Sequence, residues 1–527
     1  MKKIFISILS IVALLTTTVS CSDQLEDINK NPNEPIVNDV TTFGLFNNAN
    51  ENLMTTSRDG FASGRMTLPW MQYSAQLAYT EEDRFQFRQV TNQSLYLNYY
   101  LTAADYKTII DLNTDPETKV KNSLYGNSTN QIAAARIMLA YTFSLLVDAY
   151  GDVPYYSYGN QDPDFQALQS LEYLKPKFAS QEKIYADILK ELKEAAESVV
   201  TTEPNVFTQG DLLFRTPAKL VKFANSLRLR IATRVNGVVP GAQEHITDAI
   251  AKGVMASNAD TVGLTYQKDD VNPSPMYRAF FISNRTDFAM TNTFVSLLKG
   301  EDGPFGIVDP RLQKYAAPNT ATIAVVKAGT YAETDDLTKY VGMPYGLTSA
   351  EAELQVGGSS FWSTNVLKQD YTEILMEYAE VEFLLAENNG WNSTNYINGI
   401  TASMTRWGVT PAKIATYVAA VPAATQETVL TQKYIALFMQ PYEAYSEYRR
   451  TGFPNTLLLP GQSRPLNTPT PDGETTYTFV ALNNLTRMPD RFTYPVNLQQ
   501  LNGENVKAAA AAIGGDKLDT KLIWAKK

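Results

Sequence analysis

The stretch "NQIAAARIMLAYTFSLLVDAY", Asn130–Tyr150, decides the fold class of this 527-residue chain. Ile132, Ala135, Leu139, Leu146 and Ala149 recur at helical spacing, and alanine occupies much of the remaining surface. A helix with one apolar stripe lies on a core, whereas one this apolar all round is enclosed by close neighbours. The flanking sequence supplies those neighbours. Ile184, Ile188, Leu192, Ala195 and Val199 form a stripe in the next helix, with Lys190 and Glu194 outside it at i,i+4. Leu220, Ala224, Leu227, Ile231 and Val235 repeat the pattern until Asn236-Gly237 stops it.

Between about 260 and 365 this periodicity is lost to stretches such as "VNPSPMYRAFF", "GEDGPFGIVDPR" and "YVGMPYGL". Helical patterns then resume. "TEILMEYAEVEFLLAE", 372–387, places Ile374, Tyr378, Val381 and Leu385 on one face and Glu373, Glu377 and Glu380 on another. "YINGITASMTRWG" follows a break at Asn389-Gly390, and "LTQKYIALFMQPYEAYSEYRR" predicts a further helix kinked at Pro441. From about Thr451 the tail reads as loop. Helices pair on both sides of the irregular stretch, as in tetratricopeptide-like hairpins, although the roughly 34-residue period is not recoverable. The expectation is an all-α dominated single unit over 41–527 with few short strands. Its helical scaffold covers about 128–256 and 372–450, and a long loop-rich insertion covers about 260–365. Long excursions from a helical scaffold are where function is displayed.

Composition narrows the chemistry. A net charge of −10 without a Lys/Arg-dense block argues against a nucleic-acid partner. One cysteine excludes an internal disulfide framework and any multi-thiolate metal site. Thirty tyrosines suit stacking on neutral, hydroxyl-rich ligands and equally suit helix packing.

The amino terminus has the form of an export signal. Met1-Lys2-Lys3 is followed by "IFISILSIVALL" at Ile4–Leu15, too short for the roughly 20 residues of a membrane-spanning helix. No later stretch is expected to span. Thr18-Val19-Ser20-Cys21 resembles a bacterial lipobox, although threonine is a less usual first residue than leucine. It marks residues 1–20 as a lipoprotein signal peptide and Cys21 as the lipidation site. Each buried acyl CH₂ contributes about 0.8 kcal/mol, and more than one chain anchors stably. Residues 21–40, with Asn31-Pro32-Asn33-Glu34-Pro35, read as an extended tether.

Catalytic motifs are missing: no HExxH, no GxSxG, no GxxxxGK[ST]. His245, the only histidine, sits beside Glu244 at a helix start and reads as a surface or capping residue. "DLNTDPETKV" at Asp111 alternates Asp111, Asn113 and Asp115 like a calcium loop, but Pro116 replaces the turn glycine and no glutamate holds the twelfth position. No cofactor is expected, and a structural Ca²⁺ has no motif behind it. A glycosidase needs only two carboxylates about 5 to 9 Å apart. Glu81, Glu82 and Asp83 are adjacent and could supply one of them, but charged runs are usually solvated or paired, here with Arg84 at hand.

A set of longer matches resembles the SusD/RagB-like outer-membrane lipoproteins of Bacteroidetes. It comprises "EDINKNPNEP" (26–35), "YTEEDR" (79–84), "LLVDAYGDVPY" (145–155), "KFANSLRLR" (222–230), "LMEYAEVEFLLAE" (375–387), "GITASMTRWG" (399–408), "YIALFMQPYEAYSEYRRTGFP" (434–454) and "RMPDRFTYP" (487–495). The resemblance implies a tetratricopeptide-like α-α superhelix with an irregular ligand-binding face. It also implies a SusC-like TonB-dependent transporter as partner and a non-enzymatic, glycan-binding role at the cell surface. Members of the RagB type take peptides, so a peptide or glycopeptide ligand is the alternative, with a glycoside hydrolase third. Asp23, Glu26 and Asp27 resemble the acidic surface-export signal of such lipoproteins. In this family the ligand meets an early segment and the irregular middle, which makes Trp70, Tyr73, Tyr79 and Arg84 the early candidates here. Tyr277, Phe281, Asn284, Arg285, Tyr345 and Trp362 are the middle ones. Aromatic planes accept sugar C–H faces, and Arg or Asn side chains bond hydroxyls. Core packing is nonetheless the commoner fate of any single aromatic. Tyr155, Tyr156 and Tyr158 are alternative surface aromatics.

Overall fold

A computed structural model describes residues 40–526. The signal peptide, Cys21, the acidic residues after it and the tether through residue 39 lie outside the described residues.

The chain is built on helix hairpins: α1 (Thr42–Ser57), α2 (Gln89–Thr114), α3 (Ser128–Tyr150), α4 (Gln181–Ser198), α5 (Pro217–Val235) and α6 (Ala242–Lys252), each packed on the next. Local chemistry sets the ends. Asn127 caps α3 by accepting the N–H groups of Thr129 and Asn130, and Pro217 opens α5 behind the Thr216 cap. α5 stops at Asn236, as the sequence predicts. The stripes of α4 and α5 are buried, and Lys190 meets Glu194 at 3.4 Å outside them. α3 is enclosed on nearly all sides. By length and hydropathy it is in fact apolar enough to cross a membrane, contrary to the expectation that no later stretch would be, but 89% of its most apolar window is buried inside the protein. The helical scaffold also begins earlier than the sequence suggests, at α1.

After the insertion come α7 (Tyr378–Asn388), α8 (Ser393–Arg406), α9 (Pro411–Ala420), α10 (Gln426–Ala436) and α11 (Pro441–Thr451). Two expectations are corrected in this part. Thr372–Met376 is a strand, with α7 beginning only at Tyr378. Glu373, Glu377 and Glu380 are all buried, facing Arg58, Arg406 and Arg230. Instead of kinking one helix, Pro441 starts a new one after a break in which Met439 takes φ +68°. The loop-rich tail also holds a helix, α12 (Leu498–Ile513). The calcium-like "DLNTD" lies at the end of α2, where Asp111 pairs with Lys107 at 2.7 Å. His245 is half-buried in the first turns of α6, lowered by burial and by Arg228 and Lys193.

Charged pairs bury with the helices. Arg234 on α5 reaches Asp148 on α3 and Glu443 on α11, and Arg230 reaches Glu380 on α7. Lys433 meets Glu447 at 2.8 Å. Such ions are tolerable inside only when paired, so they lock the two helical blocks in one register.

Two short ribbons govern the insertion. β2 (Val262–Thr265) pairs antiparallel with β4 (Thr372–Met376), joining its two ends. β1 (Ser74–Gln76) pairs antiparallel with β3 (Phe288–Met290), with Ala75 opposite Ala289. A third ribbon joins β5 (Ser463–Pro465) to β6 (Thr476–Thr478) in the tail. The β1–β3 pairing matters for function, because it fastens the early loops against the irregular middle.

Candidate ligand-binding site

The segment after α1 makes an Asx turn: Asp59 Oδ1 accepts the N–H groups of Phe61 (2.8 Å) and Ala62 (2.6 Å). This turn holds Phe61 outward, 44% exposed. Gly60 lies directly on the turn Arg278–Ile282, where a Cβ at this position would stand 3.0 Å from that of Ala279. A side chain at Gly60 would press on Ala279, so glycine suits the close approach of the early loop to the insertion.

Arg65 joins the two segments. It is almost buried, and its guanidinium donates to Asp287 Oδ2 at 2.9 Å. The same group lies 5.5 Å from the ring centre of Phe61 and 5.3 Å from that of Tyr79. Held in this way, a guanidinium fixes both rings by cation–π attraction while their outer surfaces remain wet. Tyr79 is 55% exposed. From the insertion, Arg285 comes to 6.0 Å from the Phe61 ring. Phe281 stands 5.0 Å from Tyr277 and carries Lys327 Nζ at 5.4 Å. A cavity of about 200 Å³ beside Phe61 is lined by Asp59, Val90, Thr91 and Ser94.

Tyr79 (φ +57°) and Asn284 (φ +53°) both occupy the left-handed region. This is uncommon for asparagine and costly for a bulky tyrosine, and such conformations persist where the surroundings enforce them, often at ligand sites. The cations here outnumber their partners. Arg65 has Asp287, but Arg285 and Lys327 make no ion pair among the described residues. Burial pushes Asp59 up, against the N–H groups that hold it down.

Beneath this surface lie two of the three carboxylates of the 81–83 run, Glu81 being only partly covered. Glu82 is fully buried, held by Arg88 and 3.8 Å from Arg65. Asp83 accepts the Gln76 N–H at 2.8 Å, and burial pushes it up to about 8. Neither carboxylate faces solvent.

The structure separates the sequence-predicted residues. Tyr79 and Arg285 meet through Arg65 and Phe61, while Phe281 and Tyr277 form a second ring pair on the insertion, with Tyr277 nearly covered and Asn284 exposed. Arg84 is half-buried at the edge, donating to the Val480 carbonyl at 2.9 Å. Trp70, Tyr73, Tyr345 and Trp362 are instead fully buried core side chains. Trp70 sits edge-on to Phe492 at 5.5 Å and donates to the Glu82 carbonyl, and Tyr73 stacks on Tyr434 at 4.6 Å. Tyr345 packs on Phe479 at 5.4 Å, and Trp362 is stacked on Phe288 at 5.9 Å. Of the alternative aromatics, Tyr155 is buried, Tyr156 is half-buried and Tyr158 is exposed beneath Arg136. Phe61 and Arg65 escape the sequence reading, although an Asp-Gly turn followed by phenylalanine is a signal for an outward aromatic.

A family model described as SusD-like, "Starch-binding associating with outer membrane", matches residues 32–495. No curated protein sequence matches the chain. Among solved structures, a SusD homolog from Parabacteroides distasonis superposes with a TM-score of 0.71 at 20% identity, covering 92% of this chain and 98% of the other. A chitin-binding protein gives 0.68 at 24% identity, covering 90% and 99%. A chitin-binding SusD homolog from Flavobacterium johnsoniae gives 0.67 at 21% identity, covering 92% and 98%. At these identities the likeness is one of fold.

Proposed function

The chain belongs to the SusD-like family, and from that premise we propose that it is a cell-surface glycan-binding lipoprotein. In this reading it captures oligosaccharides and delivers them to a SusC-like TonB-dependent transporter in the outer membrane. Cys21 carries the lipid that holds it there. The observation that carries the proposal is the pair of exposed rings, Phe61 and Tyr79, fixed on one guanidinium, with Arg285 beside Phe61. Flat apolar faces beside hydrogen-bonding groups are what a sugar ring requires, with its C–H surface on one side and its hydroxyls around the edge. The starch-binding description of the family and the chitin-binding names of two neighbours support the same ligand class.

The role is one of binding without turnover. Glu82 and Asp83, two of the three carboxylates in the 81–83 run, are sealed beneath the surface, and an acid that no ligand reaches does not protonate a glycosidic oxygen. A peptide or glycopeptide ligand is the second reading. It is favoured by Arg285 and Lys327, whose uncompensated charges suit a carboxylate. Calorimetry against a panel of oligosaccharides and unmodified peptides separates the two. Saturable binding of a glycan without release of reducing sugar supports the first reading. Binding confined to peptides overturns it, and release of reducing sugar overturns the non-enzymatic role.

A further inference from the structure

A cavity of about 410 Å³ opens where the segment leading into α5 meets the β2–β4 ribbon, and it shares no residue with the aromatic site. That volume lies within the range of small-molecule sites. Arg215 and Lys219 are the only charged side chains that line it. The chain as a whole carries a net charge of −10, yet neither residue makes an ion pair among the described residues.

The nearby carboxylates are already engaged. Asp211 accepts three backbone N–H groups, from Leu213 at 3.0 Å, Phe214 at 2.9 Å and Arg215 at 2.7 Å. Asp260 takes Lys222 Nζ on both oxygens, at 3.0 and 2.9 Å, together with the Ala256 N–H. The cavity's hydroxyls add donors. Thr216 accepts the Lys219 N–H at 3.3 Å and Thr261 accepts the Tyr378 N–H at 3.2 Å, so each keeps its own O–H proton to give. Burial and the Arg215 charge hold Lys219 below its ordinary value, outweighing the nearby Asp260 and Asp211 charges that act to raise it. Arg215 also stands at φ +64°, a left-handed conformation that persists only where the surroundings enforce it.

A pocket offering two cations and two free hydroxyl donors is complementary to an acceptor-rich anion. We propose that this cavity binds a small solute bearing a carboxylate or sulfate group, with Arg215 and Lys219 holding the charge and Thr216 and Thr261 completing the oxygen shell.

The test is calorimetry on the full chain at low ionic strength, with glucuronate, glucose and inorganic sulfate as probes. Glucuronate saturates, glucose does not, and added chloride weakens glucuronate binding. The Arg215→Gln/Lys219→Gln variant, with an unchanged melting temperature, binds glucuronate about tenfold more weakly and loses most of the salt dependence. Thr261→Val keeps both charges and weakens binding by about threefold, which keeps the test valid if the double variant misfolds. Saturation by sulfate alone supports the site and makes a free oxyanion its occupant. Equal binding of glucose and glucuronate, no saturation by either anion, or full affinity in the charge variant overturns the proposal.

Discussion

Asp83→Asn changes a single protonation equilibrium beneath the aromatic site while leaving the shape of the side chain in place. Burial raises the Asp83 carboxyl to about 8, against the Gln76 N–H that lowers it and with the Glu82 charge adding to the rise. In an unfolded chain an aspartate titrates near about 3.9. Because the folded-state value is the higher, the bound proton stabilises the native state at low pH. That contribution is complete below about pH 4 and is lost as the pH climbs through about 8. At about 1.4 kcal/mol per unit, the step from pH 5 to pH 7 removes on the order of 3 kcal/mol. Asparagine still accepts the Gln76 N–H and has no proton to lose. For a chain of this length about 1 kcal/mol moves the melting temperature by roughly 1 °C. Melting curves followed by circular dichroism should therefore show the variant gaining about 3 °C on the wild type between pH 5 and pH 7, with the gap constant above about pH 8. Parallel pH profiles for the two proteins would refute the reasoning, because they would mean that Asp83 is already ionised in the native state.

Trp70→Ala empties a fully buried aromatic position and should cost about 3–5 kcal/mol of stability in thermal melts, without selective loss of ligand affinity at temperatures where the protein stays folded. Arg230→Met leaves Glu380 buried without its partner and should cost a similar 3–5 kcal/mol or so in denaturant unfolding, so a loss below about 1 kcal/mol would contradict the ion-pair assignment. Cys21→Ser should remove the proposed lipid attachment point, and cell fractionation should then find the protein free of the outer membrane. Continued membrane association would argue against a lipid anchor at that residue.

Helix content was legible where burial is one-sided, as in α4 and α5, whose stripes read directly from spacing. It was less legible where burial is complete. Glu373, Glu377 and Glu380 look like a solvated face until Arg58, Arg406 and Arg230 are seen opposite them, brought from distant parts of the chain. The strand Thr372–Met376 hid inside a helical pattern because its partner lies in Val262–Thr265, over a hundred positions earlier. The proposed binding face was legible in part. Aromatic type marks Trp70 and Tyr79 alike, and only tertiary packing separates the core ring from the exposed one. Phe61 and Arg285 meet because of a three-residue ribbon between Ser74–Gln76 and Phe288–Met290, too short to leave a pattern of its own.

Calorimetry of a Phe61→Ala/Tyr79→Ala variant against whichever oligosaccharide the wild type binds tests the glycan-facing role of these rings most directly. Both side chains are about half exposed, so folding and melting temperature should change little. Each ring is expected to contribute about 1.4 kcal/mol, a tenfold effect, so the double variant should bind roughly a hundredfold more weakly or not detectably. Undiminished affinity in a folded double variant would contradict the assignment of this face as the glycan site.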